Sequence, residues 1–370
     1  MKYYIIAGEA SGDLHGANLM KALYQEDPKA DIRFWGGDLM QATGGTLVKH
    51  YKDLAFMGFI EVLFNLKTIL NNISIAKKDI LEFQPDVIVF IDYPGFNLRI
   101  AKWAKTLGIK THYYISPQIW AWKENRITDI KRDVDKMYVI LPFEKDFYEN
   151  KHHYPVNFVG HPLIDAIHNQ PQVDGAIFRK ENHLNDQPII AILPGSRKQE
   201  ITKMLSLMLS IVQDFPDYQF VIAGAPSQEF YFYEKFITNN NIKFISNKTY
   251  ALLQNATAAL VTSGTATLET ALFKVPEVVC YKGSWASYQI AKRIITLKYI
   301  SLVNLIMDQE VVTELIQDDC TTQRIKEELT KILEGEQRSK LLAQYNQLEQ
   351  KLGGKGASQK TAQLIVADLK

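Results

Sequence analysis

Two short stretches near the start of the chain gather groups able to move a proton. GEASGDLHG (8–16) carries Glu9, Ser11, Asp13 and His15 directly after the apolar run YYIIA, and IDYPGFN (91–97) sets Asp92 at the end of the apolar run VIVFI. A carboxylate or imidazole that titrates near neutrality takes a proton from a reacting hydroxyl. Asp92 is the leading candidate for a general base, because Phe90 and Phe96 flank it and apolar neighbours desolvate a carboxylate and raise its pKa. His15 and Glu9 stand in reserve. Each residue also has a purely structural reading: Asp92 capping the Tyr93-Pro94-Gly95 turn, Ser11 as a helix N-cap, and Asp13 as partner of a helix dipole. Gly8, Gly12 and Gly16 recur every four residues, which fits neither a dinucleotide loop nor a P-loop, and Glu9 and Asp13 would repel a phosphate.

Phosphate chemistry fits two later stretches better. LPGSR (193–197) places Gly195, Ser196 and Arg197 after the run IIAIL, and an arginine there can fork onto a phosphate. TSGTATLET (262–270) supplies Ser263, Gly264, Thr265, Ala266 and Thr267, small residues that let a diphosphate approach backbone N–H groups at a helix N-terminus. Glu269, expected in the first helical turn, suits a pair of ribose hydroxyls. Either stretch alone also reads as an ordinary cap and turn. Together, after successive strands of one series, they point to a nucleoside diphosphate.

These motifs need strands and helices to hold them. Apolar runs at 3–8, 32–37, 87–92, 110–116, 136–141 and 156–160 alternate with helical patterns such as 14–26 and 97–107. Continuous apolar runs are the mark of parallel strands covered on both faces, so the fold class is α/β and doubly wound. A second series follows at 189–195, 218–224, 242–246, 258–264 and 277–283. The polar segment 168–188 reads as a connection between them. The expected domains are 1–170, 186–340, and C-terminal helices over 341–370 that cross back to the first domain or to a partner subunit. Ligands of such sheets bind beyond the carboxyl ends of the strands, where all four motifs fall.

Composition narrows the function classes. The 370 residues suit two domains, and 42 basic against 41 acidic residues leave a net charge of +1, which provides no field for nucleic acid. Cys280 and Cys320 are the only cysteines, which suits a reducing cytoplasm. MKYYIIAGEASGD turns polar too soon for a signal peptide, and no apolar run reaches 18 residues. The stretch 55–73 carries a wide apolar stripe that includes Phe59, Leu63, Leu66 and Leu70, read as a core helix or as one that meets lipid. A D-x-D in RDVDK (132–136) reads as a solvated charged turn, and no metal site is expected.

Eight motifs in order, GEASGDLHG, IDYPGFN, YYISPQIWAW (113–122), LPFE (141–144), FVGHPLID (158–165), LPGSR, TSGTATLET and SLVNLI (301–306), give the chain a resemblance to the lipid-A-disaccharide synthases over nearly its whole length. The resemblance implies two Rossmann-like domains facing a cleft, the GT-B glycosyltransferase architecture. It implies inverting transfer of 2,3-diacylglucosamine from its UDP donor to the 6-hydroxyl of 2,3-diacylglucosamine 1-phosphate, with no cofactor. The first domain would face the acceptor, with GEASGDLHG lining the catalytic cleft. Gly195, Ser196, Arg197, the 263–267 loop, Glu269, Tyr281 and Asn304 would hold the donor. The enzyme would sit on the cytoplasmic face of a Gram-negative inner membrane, touching lipid through Phe59, Leu63, Trp120 and Lys123, with Trp122 and Arg126 nearby. Oligomeric state is open, with 342–352 a candidate to pack across domains or across a dimer. Family members often carry a second acidic residue where this chain has Gly95, which leaves Asp92 as the carboxylate of that motif. Two rivals, a UDP-sugar epimerase and a non-catalytic nucleotide-binding module, leave the apolar stripe and the two proton-transfer motifs respectively without a purpose.

Overall fold

A computed structural model describes residues 1–54, 66–225, 228–283 and 298–370. Phe59 and Leu63 lie outside the described residues. The chain forms two compact units, one of residues 1–166 and 352–370, the other of residues 167–351.

The first unit is built on a seven-stranded parallel sheet: β1 (Lys2–Ala7), β2 (Asp31–Gly36), β3 (Thr46–His50), β4 (Val87–Ile91), β5 (Lys110–Tyr114), β6 (Lys136–Val139) and β7 (Asn157–Phe158). Their order is β3-β2-β1-β4-β5-β6-β7. Tyr3 through Ala7 and Val87 through Ile91 are all buried, because each central strand is covered on both faces. In register, Ile6 pairs with Trp35 on one side and Phe90 on the other. The helices that matter for the site are α1 (Ala10–Glu26), α2 (Asp38–Thr43), α3 (Pro94–Thr106) and α4 (Pro142–Asp146).

The second unit repeats the plan with β8 (Ile189–Leu193), β9 (Gln219–Gly224), β10 (Ile242–Ser246), β11 (Ala256–Thr262), β12 (Glu277–Tyr281) and β13 (Thr313–Ile316), in the order β10-β9-β8-β11-β12-β13. Its relevant helices are α5 (Lys198–Leu209), α6 (Thr249–Asn255), α7 (Thr265–Leu272), α8 (Leu302–Met307) and α9 (Gly335–Lys351). The stretch 168–188, expected as a connection, contains the helix Gly175–Glu181, whose Phe178 enters the second core beside Ile189 and Leu252.

Each sheet reverses its strand order once, between β1 and β4 and between β8 and β11. Loops leaving a doubly wound sheet at its switch point splay apart and open a ligand crevice. GEASGDLHG follows β1, IDYPGFN ends β4, LPGSR ends β8 and TSGTATLET ends β11. All four motifs therefore occupy the two switch points.

The last helix, α10 (Ala357–Leu369), belongs to the first unit and packs along α1. Asp165 caps its start, accepting the amides of Gly356 at 2.7 Å and Ser358 at 3.2 Å. At its far end Asp368 pairs with Lys110 at 3.1 Å, Lys136 at 3.3 Å and the buried His112 at 3.3 Å.

Candidate active site

In the first unit, the four-residue glycine spacing proves to be a packing device. Gly12 lies against Ala7, Gly16 against the Met40 thioether and Gly8 under the ring of Tyr93, where an added Cβ would come within 2.3 Å of Cδ1. These contacts press the start of α1 onto the sheet and onto the loop after β4. Glu9 occupies the N-cap position with its side chain exposed, and Ser11 follows in the first turn, also exposed. Asp13 is buried and fully engaged: it accepts the amides of Gly37 at 2.7 Å, Leu39 at 3.1 Å and Met40 at 3.0 Å, capping α2. Its carboxylate serves the fold. His15 is buried, and burial pushes its pKa down to about 4, so the imidazole is neutral. His161, inside FVGHPLID but given no role above, is pushed down to about 3 by burial and by the neighbouring His15. Its Nδ1 accepts the Leu163 amide at 3.2 Å, leaving the proton on Nε2.

Asp92 stands at the end of β4 on strained backbone. Its φ is +45° and that of Tyr93 is +50°, two successive left-handed residues where neither is glycine. The turn is held from below: the Asp92 carbonyl accepts Tyr113 Oη at 2.5 Å and Asn97 Nδ2 at 2.7 Å. Burial, reinforced by Glu9 and Glu144, raises the Asp92 carboxyl to about 6, with the Tyr93 amide pulling the other way. It is thus ionised at neutral pH yet far more basic than a solvated aspartate. Glu144, the last residue of LPFE and likewise given no role above, is buried on α4. It accepts Ser116 Oγ at 2.5 Å, Trp120 Nε1 at 3.2 Å and the amides of Ile140 and Leu141 at 3.1 and 2.9 Å. Burial raises its pKa against these donors. Trp120 is thereby anchored, whereas Trp122 is 47% exposed with Lys123 Nζ 4.2 Å from its ring centroid and the Arg126 guanidinium at 5.8 Å.

In the second unit, Gly195 takes a φ of +100°, and Glu200 folds back across it to accept the Ser196 amide at 3.3 Å. Arg197 begins α5 from the N-cap position, exposed, and its guanidinium takes no ion pair among the described residues. After β11, Gly264 is the N-cap of α7, and Gly264 and Thr265 are exposed at the helix N-terminus with Ala266 half-buried beside them. Two hydroxyls are used internally: Ser263 Oγ donates to Ile300 O at 3.1 Å and Thr267 Oγ1 to Gly264 O at 2.9 Å. Glu269 is the fifth residue of α7, one turn deeper than the spacing suggested, and accepts Tyr250 Oη at 2.8 Å. Tyr281 closes β12 half-exposed. Asn304 is enclosed: its Nδ2 donates to Val312 O and Glu314 Oε1, and its Oδ1 accepts the Val311 and Val312 amides, all within 2.9 Å. Both amide hydrogens and both oxygen lone pairs are occupied, so Asn304 organises the turn after α8.

The D-x-D is likewise committed to its surroundings. Asp133 binds Arg132 at 2.5 and 2.7 Å, and Asp135 accepts the Thr111 amide and hydroxyl at 3.0 Å each. Among the described residues no group of three or more His, Cys, Asp or Glu is arranged to hold a metal ion.

A family model described as lipid-A-disaccharide synthetase matches residues 3–367. The lipid-A-disaccharide synthase of Idiomarina loihiensis is 39% identical over 375 residues, covering 98% of this chain and 97% of that protein. That of Coxiella burnetii is 38% identical over 367 residues, covering 98% and 96%. Solved structures show the fold at low identity. A UDP-GlcNAc 2-epimerase from Neisseria meningitidis bound to UDP-GlcNAc superposes with a TM-score of 0.64 at 13% identity, covering 100% of this chain and 99% of that one. The calicheamicin glycosyltransferase CalG4 gives 0.61 at 14%, covering 100% and 98%. The GT-B fold is common to epimerases and transferases, but the family match from residue 3 to residue 367 separates them: this chain belongs to the lipid-A-disaccharide synthetase family of glycosyltransferases.

Proposed function

We propose that the chain transfers 2,3-diacylglucosamine from its UDP conjugate to the 6-hydroxyl of 2,3-diacylglucosamine 1-phosphate, with Asp92 as the base. The O6–H proton passes to the Asp92 carboxylate as O6 bonds to C1, and the C1–oxygen bond to the diphosphate breaks with its electrons leaving on UDP. Attack opposite the leaving group inverts C1 to give the β(1→6) disaccharide. The observation that carries this reading is Asp92 itself: a desolvated carboxylate raised to about 6 on strained backbone at the first switch point. Glu9, which acts on Asp92, and Ser11, exposed in the first turn of α1, suit hydrogen bonds to sugar hydroxyls, while the neutral His15 lies buried deeper in that helix.

The second unit would hold the donor. Arg197 meets the diphosphate, and the backbone of Ser263 to Thr267 at the start of α7 supplies N–H groups and the helix dipole. The exposed guanidinium and helix terminus provide positive charge for the departing diphosphate, so the reaction is expected to run without a divalent ion. Gly195, Ser196 and Tyr281 shape the approach, and Glu269 accepts from the ribose.

Both substrates are lipids, and no helix among the described residues is long and apolar enough to cross a membrane. The reading places the enzyme peripherally on the cytoplasmic face of the inner membrane. Trp122 with Lys123 and Arg126 over its ring, and Leu70, 55% exposed on the helix Leu66–Phe83, have the mixture of apolar and cationic groups that an anionic interface takes up. Incubating UDP-diacylglucosamine with and without the monosaccharide phosphate, in EDTA, tests the function. UDP and a disaccharide formed only with acceptor support it; UDP without disaccharide, or activity that magnesium alone restores, opposes it.

A further inference from the structure

Glu269 does not face its ligand alone. From α6, the Tyr250 hydroxyl donates to Glu269 Oε1 at 2.8 Å, and the Tyr250 ring rests on Phe273 with centroids 5.1 Å apart. Among the described residues Oε2 takes no hydrogen bond. A glutamate has three rotatable side-chain bonds, and one fixed oxygen removes most of that freedom before any ligand arrives. We propose that Tyr250 is a positioning residue for donor recognition: by occupying Oε1 it directs Oε2 of Glu269 toward the ribose hydroxyls of the uridine nucleotide. This rests on the reading of Glu269 as the ribose acceptor. The same phenol has an electrostatic effect, since burial raises the Glu269 pKa and the Tyr250 hydrogen bond opposes that rise, favouring the ionised acceptor.

Tyr250→Phe keeps the ring against Phe273 and removes one oxygen. Binding of UDP and of 2′,3′-dideoxy-UDP to the full chain is measured by calorimetry at pH 5.5 and pH 8, beside Glu269→Gln. Tyr250→Phe should weaken UDP roughly 3- to 30-fold, leave the dideoxy nucleotide unchanged, and lose more at pH 5.5 than at pH 8. Donor KM should rise with kcat held. Equal weakening of both nucleotides, or no weakening, overturns the proposal while Glu269→Gln still distinguishes them. If Glu269→Gln also treats the two nucleotides alike, the ribose reading itself fails and the positioning role falls with it.

Discussion

Asp92 is held in a state that costs the fold something. A carboxyl raised from 3.8 to about 6 is harder to ionise in the folded chain than in the unfolded one, so stability is lost as pH climbs through that interval, by roughly 2–3 kcal/mol once complete. Asp92→Asn should therefore unfold at higher denaturant concentration than the parent at pH 8, while kcat falls roughly 10²- to 10⁴-fold. In the parent, kcat/KM should decline below about pH 6 as Asp92 protonates; a flat profile to pH 5 would move the base elsewhere. Arg197→Ala, at an exposed N-cap whose guanidinium takes no ion pair among the described residues, should lower kcat/KM about 10- to 100-fold with an unchanged melting temperature. The positions of Asp92 and Arg197 were legible because each lies within four residues of the end of an apolar strand. The structural roles of Asp13 and Asn304 were not, since the backbone groups they bind, and the Glu314 carboxylate beside Asn304, reach them only in the folded chain. Glu144 and His161 lie inside LPFE and FVGHPLID, but the groups that set their chemistry, Ser116 and Trp120 for one and His15 for the other, come from distant segments, as Glu269 does for Tyr250.

Between elements, the sharpest constraint is Gly8. A methyl there meets the Tyr93 ring, which backbone at φ +50° holds in place, so Gly8→Ala should displace the loop after β4 and lower activity with Asp92 intact. Gly95 is the control: a Cβ there meets nothing within 4 Å, and an acid in the first turn of α3 complements the helix dipole. Gly95→Asp should fold with unchanged or slightly raised melting temperature. Continuous apolar runs revealed the central strands, whereas β3 and β13 stayed hidden. TLVKH and TELI lie at sheet edges, partly exposed, and their mixed polarity gives no run to read. Glu269 fell a turn deeper than expected because α7 starts at Thr265, directly after Gly264 has broken the strand direction with a φ of +152°.

At the scale of the molecule, two doubly wound units follow from two series of strand runs, but the route of the chain through them does not. A helical pattern near the C-terminus does not say which sheet it covers; α10 is assigned to the first unit by Asp165 at one end and by Asp368 at the other. Deleting residues 353–370 should uncover the α1 face and destabilise the first unit selectively. Fluorescence of Trp35, Trp103, Trp120 and Trp122, all in that unit, should report unfolding at lower urea; an unchanged midpoint would show α10 to be dispensable. Synthesis feels the same arrangement as a matter of timing. Residues 167–351 are contiguous and can close as soon as they leave the ribosome, whereas the half made earlier must wait, its α1 face bare, until residues 357–369 emerge. For this chain the order of translation and the order of completion run opposite ways, and the interval between them is when α1 is most in need of a chaperone.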